Sequence, residues 1–363
     1  MKVGIVGLGL IGGSLALAGT SNGHEMYGSD SNLNEVKKAI DSGSILSELS
    51  ISEMAQQCDV IILCVPTVTA KSLLDEALSG KAIVTDVASV KGPICNYVAS
   101  LDSSKIEKFI GGHPMAGSEQ SGYDSARADL FKSKMWIVVP PSESSLKHVD
   151  LIETFVTSIG MEHCLLSPEN HDEIVASISH LPHLASFALM NMASDKAHGN
   201  EIMLRLAGGG FRDMTRIAAS NSKMWIDIVK ENKNEILQSL NQYIDDLNSL
   251  VDDINSENIE NLEKLFAKSA TARNSLPDAA RRLDDLIEIY IPVPDMPGVL
   301  TQITSLASDV NIYDIKIVHA LEEDRGVLSL VVSPEQSNGL VEKLKNAGFN
   351  PSEVHLSKKE ADE

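Results

Sequence analysis

The sequence predicts an α/β domain, then an all-α domain, then a small α+β domain of ferredoxin-like order. Three changes of pattern predict it. Short β-type runs alternate with helical stretches over residues 1–165. Helical periodicity alone fills 166–284, and β-type runs return over 285–363. In the first domain the runs are KVGIVG, EMYGSD, DVIILCVP, AIVTDV, KFIGGH, KMWIVVP and MEHCLL. Their alternation with helices predicts a mainly parallel sheet covered on both faces. Pro168 opens the helical region, whose periodic segments span about 169–194, 222–254 and 256–273. Gly208-Gly209-Gly210 predicts a break between helices. Helices this long need a large partner surface, which predicts packing on one another and across a homodimer interface. The last region reads LIEIYIPV, DMPGVLTQITSLASD, NIYDIKIVHAL, GVLSLVVSP and EQSNGLVEKLKNAGF, with a final strand near Val354. That is β-α-β-β-α-β. The polar tail SKKEADE should fray.

Composition narrows the function. A length of 363 residues with 43% hydrophobic and 22% charged residues suits two or three ordinary globular domains. A net charge of −21 argues against nucleic acid as a partner, because phosphates need a basic surface. Cys58, Cys64, Cys95 and Cys164 form no CxxC pair, so no zinc or redox motif is indicated, and reduced thiols in the cytoplasm are expected. No run of about 20 apolar residues predicts a membrane span. The apolar N-terminus is interrupted by Gly4, Gly7, Gly9, Gly12 and Gly13, which does not read as a signal peptide.

Gly7-Leu8-Gly9-Leu10-Ile11-Gly12 is a GxGxxG that follows a strand and opens a helix. This is the setting of a dinucleotide-binding Rossmann domain. Gly7 serves the tight turn, Gly9 the approach of a pyrophosphate, and Gly12 close helix–strand packing. The backbone N–H groups of Leu10 and Ile11 open the helix that faces the phosphates. Asp30 lies 18 residues after Gly12, at the end of the second run, and Ser31 and Asn32 follow it instead of arginine. A carboxylate there accepts from ribose hydroxyls and repels a 2′-phosphate, which favours NAD over NADP. Val65 and Pro66 end the VIILCVP run, and DVASVK follows the AIVTD run. Both should lie along the carboxyl edge of the sheet. Ser89 in the second of these fits two compatible roles, an N-cap for the segment near Gly92 and a contact at that edge.

GGHPMAGSEQSG (111–122) presents His113 between glycines and a proline at the end of a strand. Histidine is the side chain best suited to move a proton near neutral pH. Glycines there would let the backbone approach a ligand. SHLPH (179–183) carries two histidines three residues apart, with neither an HExxH nor a matching carboxylate to suggest a metal. GGGFRDMTR (208–216) places Asp213 and Arg216 one helical turn apart as a compact polar pair, and Arg216 suits bidentate pairing with a carboxylate.

Taken in order, the glycine fingerprint, DxxSxK, GGHPMAGSE, SHLPH and GGGFRDMTRI resemble the prephenate dehydrogenase family over about residues 1–280. The C-terminal region resembles an ACT domain, with DMPGVL at the usual turn. The resemblance implies NAD-dependent oxidative decarboxylation of prephenate, or of the related arogenate, on the route to tyrosine. It assigns the catalytic histidine to His113 and its serine partner to Ser89. It assigns the substrate pocket to Ser118, Glu119, His183, Asp213 and Arg216, with Trp225 nearby. It requires no metal. It also implies L-tyrosine as feedback effector, held near Asp295, Pro297, Gly298 and Asn311.

Overall fold

The computed structural model describes residues 1–117, 120–197, 201–276, 286–294, 296–319 and 325–355. They fall into two compact units, Met1–Ala267 and Lys268–Glu363.

The first unit is built on eight strands. These are β1 (Lys2–Val6), β2 (Glu25–Ser29), β3 (Ser47–Glu48), β4 (Val60–Leu63), β5 (Ile83–Asp86), β6 (Phe109–Pro114), β7 (Met135–Val139) and β8 (Glu162–Leu165). Their order is β3-β2-β1-β4-β5-β6-β7-β8. Pairing is parallel except between β6 and β7. Alternate residues feed two cores. Val60 and Ile62 join Val3, Ile5, Leu15 and Phe155 on one face, while Ile61 and Leu63 join Val84, Leu74, Ile94 and Val98 on the other. A sheet buried on both faces needs such apolar runs. The two-residue β3 is too short to leave a period in the sequence. The strand order reverses between β1 and β4, and ligands of doubly wound sheets bind at that reversal, outside the carboxyl ends of the strands.

Helices follow β8. Ser167 caps helix Pro168–Val175 by accepting the Asn170 N–H. The chain then passes through a π turn at Ala176–His180 into helix Leu181–Lys196. Gly208 caps Gly209–Thr215 in extended conformation, so the expected break lies at Gly208, and Gly209 and Gly210 already belong to the next helix. The single helix expected over 222–254 is two, Ser222–Glu231 and Lys233–Asn255. Asn232 divides them because its buried amide is committed to tertiary hydrogen bonds. Of Lys233–Asn255 only Ile236 is buried, while Ile244, Leu247, Val251 and Ile254 form an exposed apolar stripe at helical spacing. Among the described residues no helix is long and apolar enough to cross a membrane.

The second unit is a four-stranded antiparallel sheet of β9 (Ile287–Pro294), β10 (Ile312–His319), β11 (Arg325–Val332) and β12 (Ser352–His355), ordered β10-β11-β9-β12. Helices Val299–Leu306 and Pro334–Asn346 complete it. Ile303, Leu340 and Leu344 pack on Ile287, Ile289, Ile291, Leu328 and Leu330.

Candidate active site

The turn after β1 has little freedom. Gly7 has φ +95°, and a Cβ there would meet the Cys64 carbonyl oxygen at 2.6 Å and Val65 Cγ1 at 2.9 Å. At Gly12 a Cβ would lie 1.8 Å from the Gly7 carbonyl oxygen, whereas at Gly9 it would meet nothing within 4 Å. Helix Leu10–Ser21 starts at Gly9 with no side-chain cap. Crowded glycines thus fix a turn whose outer side is open at Gly9, where the helix begins without a side-chain cap. That cradle fits a dinucleotide pyrophosphate. Asp30 accepts the Leu8 N–H at 2.7 Å and the Asn32 N–H at 2.8 Å. It therefore braces the glycine turn and stands at the position expected for ribose. Val65 packs against the turn, and Pro66 starts helix Thr67–Ala77.

His113 occupies the last pair of residues of β6, opposite Ile137 on β7, and is 8% exposed. Beneath it lies a buried polar assembly that sequence reading missed. Lys91 Nζ bonds the Asp86 carboxylate and donates to the Gly112 carbonyl at 2.7 Å, with both side chains fully buried. Asp86 also accepts the N–H groups of Gly112 (3.1 Å) and Ala88 (3.0 Å). This pair pins the loop after β5 to the strand that carries His113. Gly111 and Gly112 serve that packing rather than ligand approach. A Cβ at Gly112 would lie 2.5 Å from the Asp86 carbonyl and 2.7 Å from Trp136, and one at Gly111 would lie 3.2 Å from Lys91 Cδ.

On its other side His113 Nδ1 lies 2.9 Å from His171 Nε2, and His171 Nδ1 lies 2.7 Å from Asp172 Oδ1. Asp172 accepts the backbone N–H groups of Lys91 and Gly92, both at 2.7 Å. That carboxylate, and not Ser89, caps helix Gly92–Ala99; Ser89 is half-buried in the loop before it. A third histidine, His180, is buried and accepts from Asn232 Nδ2 at 3.2 Å. His183 donates from Nδ1 to the Ser179 carbonyl at 2.9 Å and stacks on Trp225, with ring centroids 4.0 Å apart.

Burial drives the charge states. It holds His113 well below its ordinary value, helped by His171, Lys91 and His180. It lowers His171, against a raising hydrogen bond to Asp172, and lowers His180 to about 4. His183 is lowered by burial and by the Arg216 charge, which places Arg216 within electrostatic reach of that ring. His113 is therefore neutral near pH 7 and fit to take a proton.

The FRDMTR segment is the outer part. Asp213 and Arg216 are both exposed. Asp213 lies in helix Gly209–Thr215, whereas Arg216 begins a 3-10 turn that alters the winding between them. Arg212 turns back to donate from Nε to the Ala207 carbonyl at 3.1 Å. Ser118 and Glu119 lie outside the described residues, as does Asp295. Pro297 is exposed, and Gly298, at φ +91°, caps helix Val299–Leu306. Asn311 donates its N–H to Gln336 Oε1 at 3.3 Å.

Two family descriptions match the chain. "Prephenate dehydrogenase, nucleotide-binding domain" covers residues 14–165, and "Prephenate dehydrogenase, dimerization domain" covers 167–268. The prephenate dehydrogenase of Bacillus subtilis (strain 168) is 32% identical over 336 residues, 90% of each chain. Among solved structures, prephenate dehydrogenase from A. aeolicus in complex with hydroxyphenyl propionate and NAD+ is 32% identical with a TM-score of 0.69. The alignment covers 76% of this chain and 98% of that one. Synechocystis arogenate dehydrogenase is 31% identical with a TM-score of 0.67, covering 76% and 99%.

Proposed function

The chain belongs to the prephenate dehydrogenase family, and we propose that His113 is the base with which it carries out the NAD-dependent oxidation of prephenate on the route to tyrosine. The observation that carries this reading is a buried, neutral His113 at the same carboxyl edge as the glycine turn. Prephenate bears a ring carboxylate, a pyruvyl side chain and a C4 hydroxyl. Bound NAD supplies the acceptor for the hydrogen and electron pair that leave C4. The chain's own residues supply position and proton handling. His113 takes the C4 hydroxyl proton as that carbon becomes a carbonyl, and Ser89 offers a second contact to the oxygen. Base assistance of this kind contributes about 10²–10⁴-fold. Loss of the ring carboxylate as CO2 then gives an aromatic ring. Arg216 pairs with a substrate carboxylate, and His183, Asp213, Ser118 and Glu119 complete the polar pocket. Gly7, Gly9, Leu10, Ile11, Gly12, Asp30, Val65 and Pro66 hold the cofactor.

The domains of this reading are 1–165 for the cofactor, 166–284 for substrate and dimerisation, and 285–363 for regulation. The exposed stripe on Lys233–Asn255 supports a homodimer. The second unit's β-α-β-β-α-β order supports an ACT domain. The Bacillus alignment covers 90% of the chain and so reaches into this unit. L-tyrosine is its effector, held near Asp295, Pro297, Gly298 and Asn311. The likeness to an arogenate dehydrogenase keeps arogenate as a second substrate.

Absorbance at 340 nm tests all of this. Purified protein with NAD should form NADH from prephenate faster than from arogenate, and tyrosine should slow it. A chain ending at residue 285 should stay active and lose the tyrosine response. Absence of NADH with both substrates would refute the assignment; a truncated chain that still responds to tyrosine would move the effector to the active site.

A further inference from the structure

The His113 imidazole has two nitrogens, and only one of them faces a protein partner that the structure describes. Nδ1 meets His171, whereas Nε2 has no hydrogen-bond partner among the described residues. Proton abstraction therefore depends on which nitrogen carries the ring proton. An Nε2–H tautomer would present a donor to the substrate hydroxyl where an acceptor is needed.

The hydrogen bonds around His171 settle the direction of each donor. Asp172 already accepts two backbone N–H bonds, from Lys91 to Oδ1 and from Gly92 to Oδ2. A carboxylate holding those donors has only acceptors left to offer. His171 must then donate from Nδ1 to Oδ1. A neutral His171 that donates from Nδ1 has a bare Nε2, and His113 Nδ1 must donate to it. Neutrality of His171 is favoured by its complete burial and by the Lys91 charge.

We propose that His171 and Asp172 are positioning residues that lock His113 in the Nδ1–H tautomer, so that Nε2 is its basic nitrogen. The order runs from the helix N–H groups to Asp172, from Asp172 to His171, and from His171 to His113. It resembles a carboxylate–histidine pair with one imidazole inserted. When the substrate O–H bond breaks and an N–H bond forms at Nε2, His113 becomes an imidazolium. Its Nδ1–H bond to His171 then strengthens, and the Asp172 carboxylate beyond offsets the new charge. Lys91 and a protonated His180 would oppose that charge; Asp86 is held in the bond to Lys91, so Asp172 is the anion whose hydrogen bonds lead to His113. No sequence motif includes His171, which lies 58 residues after His113 in the chain.

This inference rests on His113 being the base, and its test separates the two. Long-range proton–nitrogen NMR on protein labelled with ¹⁵N-histidine reads the tautomer without turnover. His113 should show a protonated Nδ1 and a bare Nε2. His171→Leu should populate both tautomers and lower kcat at least about tenfold, with KM for NAD and prephenate within about twofold. His171→Gln keeps an acceptor for His113 and a donor for Asp172, so it should restore the tautomer and most of kcat. A wild-type His113 protonated at Nε2 would overturn the proposal even if the leucine variant did not fold. So would a glutamine variant as impaired as the leucine one, or a leucine variant with normal kcat. A wild-type protein that forms no NADH would instead strike the proposed function, while the NMR still decides the tautomer.

Discussion

Two turns in this protein share a local design. Each leads from a strand through a glycine of positive φ into a helix, Gly7 at +95° after β1 and Gly298 at +91° after β9. Their surroundings differ. A side chain at Gly7 would strike the Cys64 carbonyl at 2.6 Å, while one at Gly298 would meet nothing within 4 Å. The same contrast extends to their neighbourhoods. The first turn shares its sheet edge with a buried hydrogen-bonded assembly, and the second carries exposed Pro297 and a backbone bond at Asn311. Positive φ therefore marks a turn, and packing around it marks a place where geometry must not drift.

The contrast is sharpest at the chemistry. His113→Asn should lower kcat about 10²–10⁴-fold while NAD affinity, measured by fluorescence titration, stays nearly constant; equal losses in both would make His113 structural. Gly7→Ala should be next, combining about 1–3 kcal/mol of backbone strain with about 1–3 kcal/mol of overpacking. Thermal unfolding and NAD titration should both register it.

Acid should damage the packed edge selectively. His113, His171 and His180 are all held below their ordinary value near 6.5 by burial. Between the depressed value and 6.5 the unfolded chain binds more protons than the folded one, so stability is present above 6.5 and is lost as pH falls. For His180 the window runs from 6.5 to about 4. Urea midpoints measured from pH 7.5 to 5 should decline; a flat profile would contradict the buried neutral state. Arg216→Ala should raise KM for prephenate about tenfold, since a charge-assisted contact contributes about 1.5–3 kcal/mol, with kcat less affected. Gly298→Ala should do least, about 1–2 kcal/mol of left-handed strain, leaving turnover intact. A large loss of activity there would dissolve the contrast between the turns.

The sequence showed what is local. GxGxxG with Asp30 was legible because the turn, the helix start and the carboxylate all fall within one β-α-β unit. His113 was legible from its glycines and proline, although those glycines turned out to admit Lys91 and Trp136. Asp172 was not legible, because the N–H groups it caps belong to Lys91 and Gly92, some 80 residues earlier. Lys91 and Asp86 stood in plain view within DVASVK, but burial of a lysine leaves no periodic trace. Asn232 looked like one more residue of a long helix until its amide was found bridging Asp172 and His180.

The π turn at Ala176–His180 bears on how this helix could change over evolutionary time. An α-helix advances about 100° per residue, so nine residues of ordinary winding would set His171 and His180 on opposite sides. One π turn absorbs about one residue of phase and swings His180 and His183 back toward the side His171 faces. The histidines are thus synchronised by a single surplus residue. Deleting one residue within the turn would return it to ordinary α winding with the downstream rings in the same phase, whereas one further residue of α winding there would rotate them by about 100°.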